Sequence, residues 1–324
     1  MANGSQFAPA LAASPLLAGE GAIVGLDVGG SSMKAVVVGP SGKVVLYAYQ
    51  PTPVETGPDG VVAAMAGLIK SLREQAVQSG SALSAVGLAV PGVVDETAGL
   101  ASFASNLGWR DLELAKLLST ELELPVYLGH DVRLGALGEA FLGSAQAVNS
   151  FLFVPIGTGI ASAAVLRRKL WQGEHGLAGE IGHVVVEPGG PPCSCGQRGC
   201  LEAVASAAAL ARRYRDRVPG PPVDAEQVVA LAKQGDPDAL VVWSGAVMSL
   251  ADVLAMVQAQ LDLEMVVLGG GLAKQGPAFV SELQTALVRR FGLRPPPQLA
   301  LAELGTQAAC YGAALLARSP ALAR

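Results

Sequence analysis

The sequence predicts an α/β protein organised as two lobes. Three observations point there. Short apolar strands alternate with amphipathic helices, the pattern of a sheet with substantial parallel pairing. A strand, a glycine-rich turn and a second strand occur near the start of the chain and again near its middle, which suggests internal duplication. The chain has 324 residues, long for one hydrophobic core, and 51% of them are hydrophobic, enough to fill two.

Residues before Glu20 read as a mobile tail. Ile23 to Asp27 is an apolar run ending in an acid, Val28 to Ser32 a turn, Ala35 to Val38 a strand, and Val44 to Tyr49 a third strand. Val61 to Gln78 carries Val61, Val62, Met65, Leu68, Ile69 and Leu72 at three- and four-residue steps and predicts a helix. Val86 to Val90 is a buried strand stopped by Pro91-Gly92. Helix is expected over Leu112 to Leu118, strand over Pro125 to Leu128 and helix over Val132 to Phe141. The second series begins with strands Phe151 to Ile156 and Ile160 to Leu166 around Gly157-Thr158-Gly159. Helices follow over Leu201 to Tyr214, Ala225 to Lys233 and about Asp238 to Gln260. Met265 to Leu268 is a strand closed by Gly269-Gly270-Gly271. A helix near Phe279 to Arg290, a short strand near Leu299 and a helix over Gln307 to Arg318 end the series. The expected organisation is a disordered tail over 1–22, a small α/β lobe over 23–130 and a larger lobe with a metal loop over 131–306. The C-terminal helix, about 307–318, is available to pack back on the small lobe.

The formal net charge is −5, and no basic run offers a footprint for nucleic acid. Arg212, Arg213, Arg215 and Arg217 spread around one exposed helix. Ala8 to Leu17 is apolar, but it holds two prolines and no basic residue precedes it, so it makes a poor signal peptide. Every later apolar stretch is interrupted by Gly, Pro or charge before a full bilayer span. A soluble, cytoplasmic protein without nucleic-acid or membrane partners is expected.

A phosphate needs several backbone N–H groups converging on its oxygens with no side chain in the way. Gly29-Gly30-Ser31-Ser32 and Gly157-Thr158-Gly159 both offer this, with hydroxyls as further donors; each could equally be a tight hairpin. Together with Gly269-Gly270-Gly271 they suit a nucleotide clamp that uses neither the P-loop nor the G-x-G-x-x-G solution. Asp27 leads into the first turn. It either caps that turn or faces a water-bridged Mg²⁺ carried by ATP. Asp131 follows a strand and starts a helix, and reads either as an N-cap or as a strand-end base.

His183, Cys193, Cys195 and Cys200 form H-x9-C-x-C-x4-C, four N/S ligands with no open position, which predicts a structural zinc site. Glu180 and Glu202 flank it, as surface acids or as bidentate acceptors for sugar hydroxyls. Cys310 stands apart.

Gly179-Glu180-Ile181-Gly182-His183 followed by Cys193-x-Cys195-Gly196-x-x-Gly199-Cys200-x-Glu202 resembles the ROK family of bacterial sugar kinases and sugar-responsive repressors. Asp27-Val28-Gly29-Gly30-Ser31 with Lys34, Gly157-Thr158-Gly159, Pro91-Gly92-Val93-Val94-Asp95 and Asn106-Leu107-Gly108-Trp109 match it too, so the resemblance runs from about Ile23 to Ala317. It implies a two-lobed actin-like ATPase (ribonuclease H-like) fold. The activity it implies is an ATP-dependent kinase acting on the 6-hydroxyl of glucose or a related hexose; an N-acetylglucosamine or N-acetylmannosamine kinase, or a non-catalytic sugar sensor, is the alternative. By resemblance Asp131 is the catalytic base, and Gly92, Asn106, His130, Asp131, Glu180, His183 and Glu202 bind sugar. Asp27, Gly29, Gly30, Ser31, Ser32, Lys34, Thr158, Gly159, Gly269, Gly270 and Gly271 serve ATP and Mg²⁺. His183 is implied to touch sugar with one ring nitrogen and zinc with the other, and the assembly is a homodimer or homotetramer.

Three positions depart from the family. His130 stands where Asn usually precedes the base, and Ala161 and Ser162 replace glycines after Gly159. Only about 22 Ala/Pro-rich residues precede the first strand, so a repressor with its DNA-binding module is not expected. Asp131 and Asp27 are both present, which favours an enzyme over a non-catalytic binder.

Overall fold

The computed structural model describes residues 13–291 and 295–323. Contacts divide the chain into two units: Met1–Gln146 with Val165–Leu177 and Glu303–Arg324, and Ala147–Ala164 with Ala178–Ala302.

Unit one holds strands β1 (Ala22–Val28), β2 (Ser32–Val38), β3 (Val44–Pro51), β4 (Leu83–Val90) and β8 (Val126–His130), in the sheet order β3-β2-β1-β4-β8. β2 runs antiparallel to β1 and to β3, whereas β1, β4 and β8 are parallel. The near-continuous burial of β1 and β4 is what parallel strands covered on both faces require. One cover is α1 (Gly57–Gln78), which buries Val61, Met65, Ile69 and Leu72 at helical spacing. It starts four residues before the expected point, because Pro58 suits a first helical turn. A small antiparallel sheet of β5 (Val93–Asp95), β6 (Leu100–Ala104) and β7 (Trp109–Leu112) follows β4. Leu112 is therefore strand, and helix α2 spans Leu114–Leu122.

Helix α3 (Asp131–Leu142) leaves the end of β8. It packs with the last helix, α9 (Ala308–Arg318), which also lies on β1 and β4. That approach is close: a Cβ on Gly25 would stand 2.0 Å from the Cys310 carbonyl oxygen, and one on Gly87 1.9 Å from that of Ala313. Both strands carry glycine where the helix backbone crosses. The expected tail covers residues 1–12, which lie outside the described residues, and 13–22, where Leu17 is fully buried and Arg318 donates to its carbonyl at 3.0 Å. Gly19 donates to Pro40 at 3.0 Å, so the β2–β3 turn also holds this stretch.

The second sheet runs β11-β10-β9-β12-β13, from β9 (Phe151–Pro155), β10 (Ala163–Leu166), β11 (Lys169–Trp171), β12 (Met265–Gly269) and β13 (Gln298–Leu301). Its order repeats that of the first sheet: third, second, first, fourth, fifth. The expected strand from Ile160 begins only at Ala163; Ile160 makes a single bridge to Ile156. Unit two contains α4 (Leu201–Ala205), α5 (Ala207–Arg217), α6 (Ala225–Lys233), α7 (Pro237–Leu261) and α8 (Pro277–Val288). The single helix expected over Leu201 to Tyr214 is broken at Ser206, whose hydroxyl caps the new helix by accepting from Ala209 N–H at 3.1 Å. Among the described residues α7 alone is long and apolar enough to cross a membrane; it packs with α4, α5, α6 and α8.

Glu139 is wholly buried on α3, a position that a lone carboxylate could not hold. Its oxygens accept from Ser144 N–H (2.9 Å), Ser144 Oγ (3.1 Å), Glu303 N–H (3.2 Å) and Leu304 N–H (2.9 Å), tying the end of α3 to the approach to α9. Glu139→Ala strands all four donors. Urea denaturation should show a loss of about 3 kcal/mol, with a smaller loss for Glu139→Gln.

Candidate functional site

In unit one the first glycine turn closes β1 onto β2, with Gly29 N–H donating to Ser32 O at 2.9 Å. Thr52 clamps it from the end of β3: its hydroxyl donates to Gly29 O at 2.6 Å and its amide to Ser31 O at 3.2 Å. A Cβ on Gly30 would lie 3.0 Å from Asn106 Nδ2, so the turn and Asn106 are neighbours. Asp27 and Lys34 are cross-strand partners, with Oδ2 and Nζ 3.7 Å apart. Burial raises the Asp27 pKa and Lys34 opposes that rise. Cys310 donates its thiol to Lys34 O at 3.3 Å; burial and the Asp27 charge hold it well above the ordinary thiol range. It is a packing residue remote in role from the other three cysteines. Gly92 turns the chain after β4 at φ +91°, where a Cβ would stand 2.1 Å from Phe103 O.

Asp131 is the first residue of α3, and His130 occupies the N-cap position without capping through its side chain. Asp131 Oδ1 accepts from Val132 N–H at 2.7 Å and lies 3.4 Å from His130 Nε2. Burial, with the Arg133 charge in support, pushes the His130 pKa down to about 3, so the imidazole is neutral near pH 7.

Unit two holds the second glycine turn, closed by Gly157 N–H donating to Gly159 O at 2.9 Å and anchored by Ala207 N–H on Gly157 O at 2.9 Å. Glu202, in the first turn of α4, accepts from Ile160 N–H at 3.0 Å through Oε2. A Cβ on Gly159 would come within 2.4 Å of that same oxygen. The Gly269-Gly270-Gly271 segment packs against Ile156: Ile156 N–H donates to Gly269 O at 2.9 Å and Leu272 N–H to Ile156 O at 3.0 Å. A cleft of about 450 Å³ opens beside these elements, lined by Thr158, Ala207, Ala208, Ala211, Asp224 and Gly271 among others.

The His183 Nδ1, Cys193, Cys195 and Cys200 ligand atoms all lie within 4.8 Å of one another. Cys193 Sγ is 3.5 Å from Nδ1, and Cys195 Sγ is 3.7 Å from Cys200 Sγ. Ligands at zinc–sulfur bond length on a tetrahedron stand about 3.8 Å apart, so the donor set and its spacing fit Zn²⁺. Without metal, burial and the adjacent thiols push Cys200 up to about 12, whereas the backbone amide of Gln197 chiefly lowers Cys195. The other ring nitrogen of His183, Nε2, lies 3.7 Å from Glu180 Oε2. Backbone bonds brace the loop: Ser162 N–H to Gly179 O (2.8 Å), Val186 N–H to Gly199 O (2.8 Å) and Leu201 N–H to Val184 O (2.8 Å).

The family model described as "ROK family" matches residues 23–319. The chain belongs to the ROK family. Glucokinase of Thermotoga maritima is 32% identical over 280 residues, covering 82% of this chain and 87% of the relative. The solved ROK hexokinase of Thermus thermophilus superimposes with a TM-score of 0.80 at 34% identity, over 93% of this chain and 99% of that one. A ROK glucokinase of Streptomyces griseus, solved with glucose and AMPPNP, gives 0.79 at 28% identity, over 92% and 99%. The fold is the actin-like ATPase fold.

In this ROK chain the structure brings together Gly30 with Asn106, Gly159 with Glu202, Thr158 with Gly271, and His183 with Glu180 and the three clustered cysteines. Sequence reasoning missed Thr52 and the alanine face of α5. Thr52 lies between two prolines and follows no motif spacing. Ala207, Ala208 and Ala211 fall on neighbouring helical positions, and their small side chains leave the cleft open; that spacing was the available signal.

Chelator-free protein should carry one zinc equivalent by elemental analysis. Cys193→Ser and Cys195→Ser should lose it and drop the thermal midpoint by at least roughly 5 °C. Cys310→Ser should keep the metal.

Proposed function

We propose that the chain is an ATP-dependent hexose kinase that transfers the γ-phosphoryl group to the 6-hydroxyl of glucose or a closely related hexose. The observation that carries this reading is the Glu202–Ile160 hydrogen bond, which couples an acid of the sugar-binding motif directly to a phosphate-type glycine turn. The names of the glucokinase and hexokinase relatives support it.

In this reading each glycine turn binds phosphate through its backbone amides, with the hydroxyls of Ser31 and Ser32 as further donors in unit one and that of Thr158 in unit two. The cleft beside Thr158 and Gly271 takes the adenosine. Mg²⁺ arriving with the nucleotide supplies charge neutralisation, and Asp27 is the carboxylate that would face it through water. In unit two Glu180, His183 and Glu202 accept from and donate to sugar hydroxyls; in unit one Gly92, Asn106 and His130 are the sugar-binding candidates. Zn²⁺ on the His183 cluster supplies a fixed ring orientation, so that Nε2 is presented to the sugar side.

Asp131 takes the proton of the attacking hydroxyl. Its place at the first position of α3 sets it at the positive end of the helix dipole. A carboxylate is a weak base for an alcohol, so its main work is to orient the hydroxyl, with the proton moving late. A cytoplasmic enzyme acting as a homodimer or homotetramer completes the proposal.

Purified protein with ATP and Mg²⁺ should release ADP with glucose. A panel with mannose, N-acetylglucosamine and N-acetylmannosamine ranks the alternatives, and no release with any of them would overturn the kinase reading. Asp131→Asn should cut kcat by on the order of 10²–10⁴ while sugar binding holds; near-normal turnover would remove Asp131 as base. Gly159→Val, which drives a side chain into the Glu202 carboxylate, should abolish the thermal protection given by ATP.

A further inference from the structure

Beside Asp131 lies a second carboxylate with a different task. Glu96, just after β5, keeps only 11% of its side chain exposed and accepts three hydrogen bonds. Oε1 takes His130 N–H at 3.2 Å and Arg133 Nε at 2.8 Å; Oε2 takes Gln172 Nε2 at 2.7 Å. Arg133 is 2% exposed and also donates from Nη1 to Gly176 O at 2.9 Å. The residues on either side of Asp131 are thus bound to one buried anion: His130 through its backbone, and Arg133, two positions on, through its side chain. Asp131 Oδ1 in turn sits between Val132 N–H and His130 Nε2.

We propose that the buried Glu96–Arg133 ion pair is a positioning element for Asp131, fixing the β8–α3 junction so that the carboxylate is held in one orientation. The proposal rests on the reading of Asp131 as base. The physical case is that a buried pair is poor evidence of stability. Replacing both partners with apolar residues is often neutral or stabilising. Its value must then lie in what it orients. Glu96 contacts the backbone and side chain that bracket Asp131, and this is where an error of about 1 Å can cost on the order of 10²-fold in rate.

Stability and positioning can be separated by two variants. Glu96→Leu/Arg133→Leu removes both charges and leaves no uncompensated ion; Glu96→Gln removes the charge and keeps one of the two accepting oxygens. Turnover is counted per folded molecule, with the folded fraction taken from thermal unfolding. The expected result is a fall in kcat of about 10- to 100-fold in the double variant and a smaller fall in Glu96→Gln, with sugar KM within about twofold of wild type. In an Asp131→Asn background the same substitutions should cost almost nothing further, because the group they position is already gone.

Normal kcat per folded molecule in both variants, or losses that add fully to that of Asp131→Asn, would make the pair scaffold only and overturn the proposal. Asp131→Asn with normal turnover would instead sink the base assignment, and the positioning role with it. A collapsed Asp131→Asn beside unaffected Glu96 variants sinks the positioning role alone.

Discussion

The hydrogen bond from Ile160 N–H to Glu202 joins three features of unit two that lie far apart in the chain. Glu202 sits two residues after Cys200, so its backbone is set by the cysteine loop, and Cys200 itself pairs with Val185 across a bridge. Its carboxylate reaches the residue that follows Gly159, where even one added carbon would collide with it. Ala207, just past the end of the same short helix, donates back to Gly157. The glycine turn is thus gripped from both sides by α4 and the start of α5. Order in the cysteine loop is order in the turn. A charge-assisted bond of this kind is worth more than a neutral one, and it also sets direction.

Unit one reaches a comparable end by different means. Its glycine turn is held by a hydroxyl, Thr52, and one of its two helical covers comes from the far end of the chain. α9 comes so close to β1 and β4 that carbonyl oxygens of the helix occupy the space where Cβ atoms would be. Such contact leaves no room for sliding, and Glu139 adds a polar lock between α3 and the segment leading into α9. The shared strand order of the two sheets shows why both units offer a turn after their first strand. The same topology exposes the β1–β2 and the β9–β10 connection at the strand end where parallel neighbours stop.

Much of this was legible in the sequence because it depends on local composition. The long buried strands, α6 to its last residue, and the H-x9-C-x-C-x4-C spacing all follow from periodicity or ligand chemistry. Other features were not legible, for identifiable reasons. β5, β6 and β7 are three to five residues long, too short for alternation to register. The break at Ser206 is a capping event inside a run of helix formers, where Ser reads as neutral. Thr52 and Glu96 act through partners 23 and 37 positions away, and no pattern in one sequence encodes those pairings. Leu17 was hidden by its Ala/Pro-rich surroundings, although its burial is complete.

His130 brings these threads together at a single junction. In the family an Asn commonly stands there; an imidazole adds a group that could carry charge. A protonated His130 would put a cation 3.4 Å from the Asp131 carboxylate. Burial prevents this, and the Arg133 guanidinium acts in the same direction, leaving the ring neutral across any ordinary working pH. The cation that suppresses His130 is itself matched by Glu96, so the junction gains no net charge from that pair. Of the two carboxylates at the junction, Glu96 meets Arg133 at 2.8 Å and Asp131 stands at the head of α3. His130 therefore adds a neutral ring, not a charge, beside Asp131.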